Sequence, residues 1–362
     1  MIAGIADRNG PPERRDRPME QNSDLPALRP RVPGLLWAYG GGPNGETVRF
    51  AADELPAAIA AGQWVWVHVD LIDQRARAWI QGICDLPTEV TTLLAGQEVG
   101  LVFEHDGREI HGVCADFNAD FLRVSDSIGQ FGFVARERLV VTGWRHPLAG
   151  IDAVRQAARS GVRYASGYEV LAAICAAFCR VAFLRLRSAE TDLDRVEDQL
   201  LAARAADERT ALKEVRRLGL ALHRPVTAMQ LLLHEAVEDE EEAEEAKRPT
   251  LPPAGVAAIE DMATRLAAVD HAVRATSDRA KLLQEEMAAE LADESNRSLR
   301  ALTVMTALLL PGSLVAGIFG MNTGGLPFAG PGWGTLGAVL FGVVATVVFY
   351  RILARAGASL KF

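Results

Sequence analysis

The period of the hydrophobic pattern changes along the chain, and each change predicts a different kind of element. Gln63-Trp64-Val65-Trp66-Val67-His68-Val69-Asp70 carries the alternation and the β-branched and aromatic content of a strand, and residues 100–118 and 131–143 contain further strand-like runs. Helical periodicity falls between them at 74–85, 88–94 and 151–159. The mixture predicts an α+β domain over 34–165. Its Gly40-Gly41-Gly42-Pro43-Asn44-Gly45 segment lacks the Lys-Ser/Thr ending of a phosphate loop and fits a hairpin turn.

Beyond residue 166 the pattern becomes helical. Neither Gly nor Pro occurs in 168–218 or in 256–310, and 55 residues of unbroken helix in the second run would extend roughly 80 Å. Within it Ile259, Met262, Leu266, Val269, Val273, Thr276, Ala280, Leu283 and Met287 recur at spacings of three and four, which is a coiled-coil seam. Glu238-Asp239-Glu240-Glu241-Glu242, followed by Arg248-Pro249 and Pro252-Pro253, predicts an acidic turn near 235–250 at the far end of a helical hairpin. The whole of 166–298 is thus expected to be a helical stalk.

The third regime is apolar throughout. Residues 301–350 contain no Asp, Glu, Lys, Arg or His, which is too long for one membrane crossing and about right for two. A Gly- and Pro-rich break divides the stretch into a first transmembrane helix over 299–320, a loop over 321–332 and a second helix over 333–354. Pro311 is expected to bend the first. Arg297 and Arg300 precede the pair and Arg351, Arg355 and Lys361 follow it, while the loop carries no basic residue. Both ends are therefore expected in the cytoplasm, with 355–362 as a basic tail.

Composition adjusts this picture modestly. The chain has 362 residues, 49% hydrophobic and 23% charged, which excludes a disordered or collagen-like protein. Residues 1–33 mix Pro, Arg and acids without an apolar core, predicting a disordered tail and no secretory leader. Cys84 and Cys114 are isolated. Cys175 and Cys179 are one helical turn apart with no second Cys or His pair at ligand spacing, so buried thiols are expected rather than a zinc site. A net charge of −9 without a basic aromatic face disfavours nucleic acid as a partner. His234-Glu235-Ala236-Val237-Glu238 imitates half a zincin motif, but the second His is missing and no nucleophile constellation stands out, so an enzyme is not expected.

A polar stripe runs through the first membrane helix. Asn296, Leu299, Thr303, Thr306, Leu310, Ser313 and Gly317 alternate by three and four, and small and hydroxyl-bearing residues in a membrane either pack against a neighbour or line a wet path. The same phase carried back into the stalk meets Asp261, His271, Asp278 and Glu285. That face reads either as solvated helix surface or as an acidic vestibule that concentrates cations.

A very long helix ending in Gly320-Met321-Asn322, a short loop, one last span and a basic tail resembles the CorA-type divalent-cation transporter superfamily. Thr323-Gly324-Gly325-Leu326-Pro327 and, more loosely, Trp66-Val67-His68-Val69-Asp70 resemble its ZntB zinc-transporter branch. The resemblance implies a funnel-shaped homopentamer in the cytoplasmic (inner) membrane, with first spans around a central pore. It implies a selectivity loop at Gly320, Met321, Asn322, Thr323, Gly324 and Gly325, with the Asn322 amide meeting a hydrated cation. It implies apolar constrictions at Leu299, Leu302 and Leu310, with Asn296 at the cytoplasmic mouth. No cofactor is implied, only a transported divalent cation, zinc in the first place and magnesium, cobalt or nickel as the alternative. A reading of another class is a membrane-anchored coiled-coil scaffold or sensor.

Overall fold

The computed structural model describes residues 32, 34–42, 46–94, 100–120, 123–201, 209–320 and 334–355. The expected tail over 1–33 therefore lies, apart from residue 32, outside the described residues, as do the expected loop over 321–332 and the basic tail from 356 onward. The chain divides into two units, Met1–Ala182 with Arg224–Val269, and Phe183–His223 with Asp270–Phe362.

The first unit is an α+β fold around one seven-stranded sheet. In chain order the elements are β1 (Leu35–Gly41), β2 (Thr47–Arg49), α1 (Leu55–Ala60), β3 (Val65–Asp70), α2 (Gln74–Cys84), α3 (Thr88–Leu94), β4 (Val102–His105), β5 (Ile110–Asp120), β6 (Arg123–Ala135), β7 (Leu139–Trp144) and α4 (Ala149–Arg159). The sheet order is β2-β1-β3-β7-β6-β5-β4, antiparallel except where β3 runs parallel to β7 with Val65 opposite Leu139 and Asp70 opposite Trp144. β1 and β2 pair antiparallel, Gly41 with Thr47, on either side of the expected hairpin turn, whose residues 43–45 lie outside the described residues. α2, α3 and α4 fall within a residue or two of their expected positions, and α1 is a short helix the periodicity did not predict.

β3 is covered on both faces, as a parallel pair in mid-sheet must be. Val65, Val67 and Val69 pack with Ile80, Val90 and Leu94 of α2 and α3, while Trp66 and His68 are fully buried on the other side. Asp73 starts α2 by accepting from the Arg75 amide, and Asp85, at φ +49, ends it. Further along the sheet the Phe117 ring stacks on Phe178 at 5.3 Å.

Three long helices precede the last described helix: α5 (Gly167–Leu201), α6 (Arg209–Glu245) and α7 (Pro253–Gly320). α7 has 68 residues, about 100 Å at the α-helical rise, and continues through Pro311 without a break. The nine seam residues from Ile259 to Met287 are all buried. Within the second unit Ala280, Leu283 and Met287 pack on Ala189, Leu193 and Val196 of α5 and on Leu212 and Val215 of α6.

The acidic turn is corrected by the structure. Glu238 to Glu242 lie inside α6, which runs to Glu245, and the turn follows it over residues 246–252. Glutamate is a good helix former, and the acids on the outer face remain in water. Lys247, at φ +55, ends the helix, with the Arg248 amide bonded to the Ala243 carbonyl. Glu240 alone of the five is buried, and its carboxylate accepts from the Leu251 amide at 2.7 Å, so the run also ties down the turn that follows it.

That turn is met by the β4–β5 connection. Gly107 has φ +80, and a Cβ there would lie 2.5 Å from the Pro249 carbonyl oxygen. Gly107→Ala is therefore expected to cost more than about 1 kcal/mol, from the left-handed backbone and the clash together. Gly82, inside α2 with open space around it, is the control: Gly82→Ala should gain about 0.5–1 kcal/mol. Thermal unfolding of the two variants should move in opposite directions, and a common direction would contradict this account of the turn.

Candidate functional site

The predicted stripe lies on one helix and faces outward. Asn296, Leu299, Leu302, Thr303, Thr306, Leu310, Ser313 and Gly317 are all exposed on α7. A straight helix drifts about 20° per heptad against a seven-residue repeat, so the stripe stays on one broad face over its three heptads. The apolar residues around it are equally open: Met305, Leu309 and Leu314 are 64%, 69% and 64% exposed.

Among the described residues this is the one helix long and apolar enough to cross a membrane. The second apolar segment, Val339–Ile352, is shorter and belongs to α8 (Gly334–Arg355). Its Leu340, Phe341 and Val343 are also exposed. Val315 of α7 is buried, with its Cγ1 3.9 Å from where a Cβ on Gly342 of α8 would stand, an ordinary packing distance, so the two helices are in contact there.

The hydroxyl groups on the stripe have a defined chemistry. Thr303 donates to the Leu299 carbonyl at 2.8 Å, Thr306 to the Leu302 carbonyl at 2.8 Å and Ser313 to the Leu310 carbonyl at 3.0 Å. Each proton is thus engaged within the helix, which leaves the oxygen lone pairs to face outward. A row of acceptors is suited to cations and to their bound water.

Of the residues expected to form a selectivity loop, Gly320 is the last residue of α7, and Met321, Asn322, Thr323, Gly324 and Gly325 lie outside the described residues. The four acidic-vestibule candidates are spread along α7 rather than gathered. Asp261 is half-buried and paired with Arg265 at 2.7 Å, whereas His271, Asp278 and Glu285 are exposed. No group of three or more His, Cys, Asp or Glu able to hold a metal exists among the described residues. The half-zincin residues form only an exposed pair, His234 Nε2 to Glu238 Oε1 at 3.3 Å. All four cysteines are free. Burial pushes the Cys84 and Cys114 thiols up to about 12, which keeps them protonated and poor ligands.

Several buried polar groups escaped the sequence reading. His68 is fully buried, stacked on Trp37 at 4.6 Å and edge-on to Trp144 at 4.3 Å, with Nδ1 2.8 Å from the Thr142 hydroxyl. Trp66 donates to the same hydroxyl at 2.9 Å. Burial, helped by the positive charge of Arg155, lowers His68 to about 3. Asp116 of β5 is buried against the first turn of α4, where it accepts from the Gly150 and Ile151 amides at 2.7 and 3.2 Å. Burial raises it to about 7 against the pull of those amides and of the Phe117 amide. The available signal was a polar residue inside an otherwise apolar strand.

Comparison with known proteins agrees with this architecture. The model of the family described as CorA-like Mg2+ transporter protein matches residues 61–355. Two proteins named Zinc transport protein ZntB are similar in sequence. That of Pectobacterium atrosepticum is 21% identical over 72% of this chain and 78% of its own, and that of Klebsiella pneumoniae 22% over 88% and 93%. Among solved structures, full-length CmaX covers 90% of this chain and 98% of its own, with TM-score 0.71 and 19% identity. The CorA magnesium transporter of Methanocaldococcus jannaschii covers 89% and 98%, with TM-score 0.68 and 15% identity. The ZntB cytoplasmic domain of Vibrio parahaemolyticus covers 72% and 99%, with TM-score 0.56 and 13% identity.

The buried histidine has a pH consequence. Since its folded value lies below 6.5, neutral His68 contributes stability that is present above about pH 6.5 and is lost as pH falls toward 3. Asp116 acts with the opposite sign, its contribution being full below about pH 4 and lost as pH rises through 7. His68→Asn is expected to flatten the acid limb of stability between pH 6.5 and 3, whatever it costs at neutral pH. The near-UV dichroism of the tryptophans reads this, and an unchanged slope would contradict the burial argument.

Proposed function

The chain belongs to the CorA-like Mg2+ transporter family, a family of divalent-cation transporters, and from that premise we propose that it carries zinc across the cytoplasmic membrane. It does so through a central pore made by five copies of the chain. The observation that carries this reading is the outward stripe of α7. Thr303, Thr306 and Ser313 present acceptor oxygens on an exposed apolar helix that leads directly into Gly320-Met321-Asn322.

In the assembled pore the Asn322 amide and neighbouring carbonyls meet the hydrated cation first. The ion then passes Gly317, Ser313, Thr306 and Thr303, with apolar constrictions at Leu310, Leu302 and Leu299, and leaves by Asn296. Oxygen dipoles replace water contacts without holding the ion too tightly to move on. With no titratable group between 301 and 350, selection by charge falls to Asp261, His271, Asp278 and Glu285 in the stalk. Both termini stand in the cytoplasm, in keeping with the basic residues that flank the two spans and with the cytoplasmic ZntB domain that the first part of the chain is similar to. The protein holds no cofactor, carries out no covalent chemistry, and has as partners its own copies, the bilayer and its cargo.

The choice of zinc follows the ZntB relatives and the Gly-Gly-x-Pro continuation after Asn322. A lining of oxygen alone also favours a second reading, a magnesium, cobalt or nickel channel, because zinc prefers His and Cys while magnesium takes oxygen. Under either reading the ion crosses with most of its hydration shell.

Reconstituted into liposomes loaded with a metal-sensitive dye, the protein is expected to admit zinc. Asn322→Ala should lower the flux at least about tenfold, a loss of about 1.4 kcal/mol, while the oligomer stays intact. Asp278→Asn combined with Glu285→Gln should weaken uptake at low zinc more than at saturating zinc. No flux from an intact oligomer would favour a scaffold or sensor, and magnesium flux without zinc flux would select the second reading.

A further inference from the structure

The charges on the last part of α7 are sorted by depth. Packing on α5 and α6 ends with Met287. Every residue from 288 to 300 is exposed, so about 20 Å of helix runs unpacked toward the charge-free segment that starts at Ala301. Within it the acids come first, Glu290, Asp293 and Glu294, and the bases last, Arg297 and Arg300. At the helical rise Glu294 stands about 10 Å below Ala301, whereas Arg297 and Arg300 stand about 6 and 1.5 Å below it. Charges are screened over about 8 Å at physiological salt. A charged surface at the level of residue 301 is therefore felt by both arginines and scarcely by the acids.

α8 repeats the sorting from the other direction. Val315 of α7 meets α8 at Gly342. With the two spans antiparallel, as two successive crossings require, Arg300 and Arg355 lie on the same side of that contact, about 22 and 20 Å away along their helices. Arg351 lies nearer, at about 14 Å, beside an exposed Tyr350 of the kind that marks a membrane interface. No Asp or Glu follows Glu294 in the sequence, so the bases Arg297, Arg300, Arg351, Arg355 and Lys361 meet no acid nearer the bilayer.

The arginines are also unpaired. Arg297, Arg300 and Arg351 are exposed, and among the described residues none of them has an ion pair or a side-chain hydrogen bond. Elsewhere on α7 the same spacing is used: Arg265 pairs with Asp261 at 2.7 Å and Arg274 with Asp270 at 2.8 Å, each four residues apart. Asp293 stands four residues before Arg297 and is not taken.

We infer that Arg297 and Arg300 of α7, with Arg351 and Arg355 of α8, form a site for the head group of an anionic phospholipid on the cytoplasmic side of the bilayer. A guanidinium fork donates two parallel bonds to phosphate oxygens, and an uncompensated positive belt selects a lipid of net negative charge over a zwitterionic one. The inference rests on the reading of α7 and α8 as membrane spans, and not on the identity of the transported ion.

The test uses the full-length protein reconstituted into phosphatidylcholine vesicles that carry a trace of spin-labelled lipid, either phosphatidylglycerol or phosphatidylcholine. The fraction of label immobilised by the protein gives the preference for one head group over the other. Wild type at low salt should prefer phosphatidylglycerol about threefold or more, since a single basic residue at such a surface is worth about fivefold. Sodium chloride at 1 M should bring the preference close to one. Arg297→Gln combined with Arg300→Gln and Arg351→Gln should do the same at low salt. If that variant fails to insert, the salt dependence of wild type decides. Equal binding of the two lipids by wild type, as expected if the arginines pair with acids of a neighbouring copy, would overturn the site, and so would a preference unchanged by 1 M salt. Zinc flux is read in the same vesicles. Flux without a lipid preference refutes the site alone, and a preference without flux refutes the transport reading alone.

Discussion

A single solvent constraint organises this protein: the last part of α7, from residue 301 on, must lie in a medium as apolar as its own side chains. Most side chains beyond Met287 on this helix are exposed, including Leu299, Leu302, Met305, Leu309, Leu310 and Leu314. Leaving a large aliphatic side chain in water forgoes about 1.5–3 kcal/mol each. A soluble fold of marginal stability does not carry a row of such losses on one helix. Lipid removes that cost for the apolar side chains, while Thr303, Thr306 and Ser313 keep their protons on carbonyls of their own helix.

The same helix serves a different solvent upstream. From Ile259 to Met287 it buries a narrow seam and leaves the rest to water. In the second unit that seam packs on α5 and α6. One uninterrupted helix therefore carries both regimes, and the change falls between Met287, the last seam residue, and Ala301, the first of the charge-free stretch, without a glycine or proline to mark it. The break in the hydrophobic pattern, and not a break in the backbone, is the boundary.

This is also why α7 was the most legible element in the sequence. All nine residues of the predicted seam are buried, because a helix that repeats every 3.6 residues exposes its pattern directly. The helices at α2, α3 and α4 were legible for the same reason, and the Gly-rich hairpin because few other residues make that turn. The acidic run predicts a turn only if charge marks irregular chain, whereas glutamate sustains a helix whose outer face is wet. Burial of Glu240, His68 and Asp116 was not legible: each depends on a partner distant in sequence, Leu251 excepted, and no local periodicity reports it. The stripe on α7 was visible as spacing, but the direction of its hydroxyl protons required the structure.

Whether the stripe faces water or lipid is the claim on which the account turns. The measurement is a cysteine scan from residue 299 to 317 in a background with the four native cysteines replaced, reacted with a membrane-impermeant thiol reagent in reconstituted protein. The account predicts reactivity that peaks at Thr303, Thr306, Ser313 and Gly317 and is low at Leu309 and Leu314. Reactivity without that three-and-four period, or confined to Leu309 and Leu314, would contradict it.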